Sequence, residues 1–144
     1  ELFARIGVEK NIPYPGMKEA LLRLRDAGKV LCVATSKPEP FARAIADRFG
    51  LAECFDFVGG ASLDDTRTKK AAVIEYVLAS VGSPEPEQVL MVGDRRHDVE
   101  GAAAFGIDCV GVLYGYGSRE ELTAAGACFL AEQPADIADY VLGK

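Results

Sequence analysis

Two short apolar runs, "VLCVA" at residues 30–34 and "VLMV" at 89–92, restrict most what this chain can fold into. Neither alternates polar with apolar, so neither suits a strand with one face in water. Strands that are apolar at every position are buried on both faces, as in parallel sheets covered by helices. The segments between such runs repeat with a helical period. "MKEALLRLRDAG" puts Met17, Ala20, Leu21 and Leu24 on one face and stops at Gly28. "PEPFARAIADRFG" admits Pro38 in its opening turn and is expected to turn Phe41, Ala44, Ile45 and Phe49 inward. "KKAAVIEYVLASVG" carries Val73, Ile74, Val77 and Leu78, and "DVEGAAAFG" follows the strand "QVLMVG". "CFDFVGG", "CVGVLYG" and "CFLAE" read as further strands, and "PADIADYVLG" as a closing helix. In "SREELTAAG", Ser118 and Glu121 have the spacing of a capping box. The expected fold is α/β: a Rossmann-like parallel sheet with helices on both faces.

At 144 residues and 49% apolar composition, the chain is the size and make-up of one globular domain. No apolar run reaches the roughly 18 residues of a membrane helix, so no membrane partner is expected. A net charge of −6 disfavours nucleic acid, whose phosphates must be neutralised by Lys and Arg. It leaves room for a small anion in a local positive pocket. Cys32, Cys54, Cys109 and Cys128 form no CxxC pair and read as buried thiols of a cytoplasmic protein. The opening "ELFARIGVEKNIPYPG" reads as the tail of an earlier element followed by a linker, with Pro13, Pro15 and Gly16 breaking regular structure.

Ligands of open parallel sheets bind beyond the carboxyl ends of the strands, so the polar residues placed there are the candidates. "VLCVATSK" delivers Thr35, Ser36 and Lys37, whose hydroxyls and amides suit phosphate oxygens but serve equally as helix caps. "VLMVGDRRHD" delivers Asp94 and, one helical turn on, Asp98. Two carboxylates facing one point suit a hard cation such as magnesium; capping by Asp98 and loop bonding by Asp94 are the alternative. Lys69 and Lys70 open a helix against the preference of its dipole, which makes them candidates for neutralising phosphate. His97, Arg67 and Arg95 read as loop or surface residues, "LDDTR" as a solvated loop, and "GVLYGYGSREE" as a loop near the ligand or a tight turn.

Taken together, "VATSKP", Lys70 and "GDRRHDVEGA", in that order, resemble the second, third and fourth motifs of the haloacid-dehalogenase-like hydrolases, in the phosphoglycolate-phosphatase-like branch. The resemblance spans about residues 11–142. It implies a Mg2+-dependent hydrolase of a small phosphorylated metabolite, working through an aspartyl-phosphate. Thr35, Ser36 and Lys70 would bind phosphate, Thr35 and Lys70 would assist catalysis, and Asp94 and Asp98 would hold the metal. It further implies that residues 1–12 are the remnant of a helical cap and its exit linker, and 13–144 a partial core.

The family's first motif, a DxD at the end of the central strand that supplies nucleophile and acid/base, has no counterpart here. Asp64 and Asp65 are adjacent and fall too late in the order. The sheet is therefore expected to lack its first, central strand. That strand would come from a missing N-terminal segment of the same protein or from another chain, and the chain alone would be inactive. A non-catalytic binding module on the same fold is the alternative. A phosphoacceptor receiver domain would need its acid pair on the first strand, an order this chain does not follow.

Overall fold

A computed structural model describes residues 3–6, 16–48, 50–62, 64, 69–115 and 117–143 of the chain, with the backbone alone at 3–6, 52 and 70. The element order is β1 (Phe3–Ile6), α1 (Met17–Asp26), β2 (Val30–Pro38), α2 (Glu39–Arg48), β3 (Phe57–Ala61), α3 (Lys70–Ser80), β4 (Val89–Gly93), α4 (Arg96–Ala103), β5 (Asp108–Val112), α5 (Arg119–Ala125), β6 (Phe129–Ala131) and α6 (Pro134–Leu142). The six strands form one parallel sheet in the order β3-β2-β1-β4-β5-β6.

The apolar runs divide between the two faces by the period of two that a strand imposes. Leu31, Val33, Leu90, Val92, Val110 and Val112 point to one side, where Leu21 and Leu24 of α1, Ala42 of α2 and Ile137 of α6 cover them. Cys32, Ala34, Val89, Met91 and Cys109 point to the other, beneath Ile74 and Val77 of α3, Val99 of α4 and Leu122 of α5. Burial on both faces is what a continuous apolar run requires. Leu21 is fully buried in the first of these layers. Leu21→Ala is therefore expected to cost about 2–5 kcal/mol, a large share of the margin of such a domain, read as a fall in the urea midpoint.

Three expectations need correction. The α2 stripe is Ala42 and Ala46 with Ile45 at its border, while Ala44 is exposed and Phe41 is 63% exposed; Phe49 lies outside the described residues. Small side chains let the helix lie close to the sheet, so the alanines face inward and the bulkier Phe41 does not. Cys32, Cys54 and Cys109 are buried thiols, but Cys128 is exposed, with its Sγ 3.6 Å from Tyr140 Oη.

The third concerns the centre of the sheet. β2 and β4 do not pair with each other, and the position between them, expected to be bare within this chain, is filled by its own Phe3–Ile6. Ala4 aligns with Leu31 on one side and Leu90 on the other. The physical reason is that two facing strand edges carry bare N–H and C=O groups that need partners. The segment read as cap remnant thus contributes a strand; the remainder of residues 1–12 lies outside the described residues. No described helix is long and apolar enough to cross a membrane.

Candidate active site

Because all six strands are parallel, their carboxyl ends share one edge, and each sequence candidate falls on it. Thr35 lies towards the end of β2, Lys70 begins the helix after β3, and Asp94 and Asp98 follow β4. β2 and β4 flank the central strand, so Thr35 and Asp94 stand on either side of its carboxyl end.

At β2 the ladder is interrupted. Ala34 pairs with Gly59 and Pro38 with Ala61, so residues 35–37 bulge out of the pairing. Thr35 is fully buried, and its Oγ1 accepts the Lys37 N–H at 3.2 Å, while Ser36 is exposed. Glu39 closes the corner by accepting the Gly60 N–H at 3.2 Å. A Cβ on Gly60 would lie 2.6 Å from the Lys37 carbonyl oxygen, so β3 can approach the bulge only with glycine there. Lys69 is the exposed N-cap of α3 and its side chain makes no capping bond. The Lys70 side chain, Arg67 and most of "LDDTR" lie outside the described residues. His97 is exposed.

The β4 loop is tightly built. Asp94 is 5% and Asp98 2% exposed. Asp98 Oδ2 accepts the N–H groups of Asp94 at 3.0 Å and Arg95 at 3.2 Å. Backbone amides and the amino end of α4 therefore offset the charge of Asp98. Gly93 leaves the room this requires, since a Cβ there would overlap the Asp98 carboxylate. The loop after β5 passes over Asp94: a Cβ on Gly115 would stand 2.5 Å from Asp94 Oδ2, and one on Gly117 would strike the Asp94 carbonyl. Gly117 N–H donates to that carbonyl oxygen at 2.8 Å.

Glu121 is the site-edge residue that sequence reasoning assigned only to a capping box. Ser118 Oγ does accept the Glu121 N–H at 3.0 Å, but the Glu121 carboxylate does not return the bond. Its Oε2 accepts instead from Arg95 Nε at 2.9 Å and the Arg96 N–H at 2.8 Å. The Arg95 hydrogen bond, followed by the Arg96 amide, holds the Glu121 carboxyl below its ordinary 4.5, and the same bond raises Arg95. A depressed carboxyl contributes above its ordinary value and loses the contact as pH falls through the lowered one.

A carboxylate cradled under glycines and a second one turn away are donors of the type a hard divalent cation takes, although among the described residues no cluster of three or more His, Cys, Asp or Glu is present. Magnesium commonly takes one or two protein carboxylates and completes its shell with water and substrate oxygens.

The model of the haloacid dehalogenase-like hydrolases matches residues 1–106. The chain is 49% identical over 114 residues to a tyrosine-protein kinase, PtkA, of Mycobacterium tuberculosis, covering 79% of this chain and 39% of that protein. It is 44% identical over 124 residues to a 5'-nucleotidase of Pseudomonas aeruginosa, covering 86% and 56%. A phosphoglycolate phosphatase of Vibrio vulnificus is 31% identical over 143 residues, covering 99% and 62%. A predicted phosphatase from Clostridium acetobutylicum superimposes with a TM-score of 0.87 at 38% identity, covering 91% and 60%. The chain thus spans between 39% and 62% of the length of these relatives. It belongs to the haloacid dehalogenase-like hydrolase family, in its phosphoglycolate-phosphatase-like branch.

Proposed function

We propose that this chain is the cation- and phosphate-holding part of a Mg2+-dependent phosphatase that acts on a small phosphorylated metabolite in the cytoplasm. The observation that carries the reading is the placement of Thr35, the start of α3 at Lys70, and the Asp94–Asp98 loop on one edge around the central strand. Asp94 and Asp98 would hold magnesium, which supplies positive charge to phosphate oxygens when bound. Thr35, Ser36 and Lys70 would orient the phosphate by hydrogen bonds and charge, which is most of what phosphoryl transfer asks of a protein. Residues 1–12 contain no aspartate. The nucleophile and the acid/base would therefore come from a strand outside these residues, and the chain alone would not turn over. In the complete protein that strand would take the position of Phe3–Ile6 and form the aspartyl-phosphate that water then hydrolyses.

A second reading is transfer of the phosphoryl group to a protein tyrosine, favoured by the 49% identity to a relative named as a tyrosine kinase. One assay separates the two. The complete protein, given phosphoglycolate, nucleoside monophosphates and sugar phosphates, should release phosphate with Mg2+ and stop on chelation. Phosphotyrosine formed from ATP without monoester hydrolysis would replace the first reading by the second. Absence of both activities would favour a binding module.

A further inference from the structure

The backbone that carries Asp94 is held from two directions. From within, Asp98 takes the amides of Asp94 and Arg95. From outside, the segment before and within the first turn of α5 takes the rest. Gly117 N–H binds the Asp94 carbonyl, and Glu121 Oε2 binds both Arg95 Nε and the Arg96 N–H. Glu121 is itself fixed, because its own N–H is capped by Ser118 Oγ. These bonds span 25 and 26 residues of sequence, so they join two separate loops rather than complete a local turn.

We propose that Glu121 is a positioning residue for the cation site at Asp94: it fixes the loop so that the Asp94 carboxylate is presented in one orientation, without itself touching the cation. The proposal rests on the reading of Asp94 as a cation ligand. Gly117, Ser118 and Glu121 then belong to the active edge because they hold the acidic loop, a role separate from contact with substrate. A single oxygen accepting two donors 2.8–2.9 Å away is a geometric requirement, and it depends more on reach than on charge. Glutamine keeps the acceptor at the same distance; aspartate keeps the charge but is one methylene shorter.

The test uses the complete protein and Mg2+ alone, titrated by calorimetry, with amide hydrogen exchange at residues 94–96 and thermal unfolding without metal. Glu121→Ala and Glu121→Asp should each weaken Mg2+ binding about tenfold, the low end of what losing an outer hydrogen-bond partner costs a metal site. Exchange at the Arg96 amide should quicken in both. Glu121→Gln should stay within about threefold of wild type, since a neutral acceptor retains roughly half the strength of a charged one. Glu121→Asp keeps the inference testable if the alanine variant does not fold. Lower thermal stability with unchanged Mg2+ affinity would overturn it, as would equal losses in the Gln and Asp variants. Asp94→Asn serves as the control. If it weakens binding while Glu121→Asp does not, the inference fails and the site reading stands. If Asp94→Asn binds Mg2+ as wild type does, both fall.

Discussion

Asp94→Asn in the complete protein is expected to lower Mg2+-dependent turnover about a thousandfold, or about 4 kcal/mol, within the several kcal/mol that a bound cation contributes to phosphoryl chemistry. The same substitution should leave the fold intact. Two bonds that hold residue 94 in place are made by its backbone: its N–H goes to Asp98 and its carbonyl oxygen takes Gly117 N–H. Asparagine has the same shape and keeps both. A melting temperature within about 2 °C of wild type is expected, as for a change of well under 1 kcal/mol. Full activity in the variant would remove Asp94 from the site; loss of activity together with the fold would make its role structural.

Gly93→Ala should do the opposite, damaging stability and site together. A Cβ at this position would overlap the Asp98 side chain, which is almost fully buried and bound to two amides. Overpacking costs about 1–3 kcal/mol, and displacing the carboxylate leaves buried amides unsatisfied at about 1–3 kcal/mol more. A fall of about 10 °C in melting temperature follows for a domain of this size. Mg2+ affinity should fall with it, because the amides released belong to Asp94 and Arg95. Thermal unfolding and Mg2+ titration of the variant check this. A melting temperature equal to wild type would mean that α4 shifts to accommodate the methyl group and that the contact is not tight.

These two residues also mark how far the sequence could be read. The apolar runs at Val30 and Val89 carried their own message, because a strand with no polar face can only be central to a covered sheet. The α1 stripe of Met17, Ala20, Leu21 and Leu24 is buried as its period requires. The α2 stripe was missed because hydrophobic content pointed to Phe41, whereas the distance between helix and sheet selects Ala42 and Ala46. "FARI" at the chain's start is four residues with no alternation, and nothing local distinguishes a central strand from the end of a helix. Only the two edges it satisfies, in β2 and β4, explain its place. The acid pair at Asp94 and Asp98 was legible as a pair, but not that Asp98 also accepts the Asp94 and Arg95 amides. Glu121 carried a local signature that is half fulfilled. Its carboxylate is taken by Arg95 and Arg96, partners that no spacing rule connects to it.

The position between β2 and β4 decides the proposed function, in which these 144 residues bring the cation and phosphate groups to one edge and an aspartate-bearing strand occupies that position in the complete protein. The direct measurement is a crystal structure of the complete protein with Mg2+ and beryllium fluoride, which mimics an aspartyl-phosphate. The account predicts the fluoride adduct on an aspartate at the end of a strand bonded to Val30–Ala34 on one side and Val89–Val92 on the other, with Asp94 on the metal. Phe3–Ile6 still seated between those strands, with no adduct at their carboxyl ends, would contradict it.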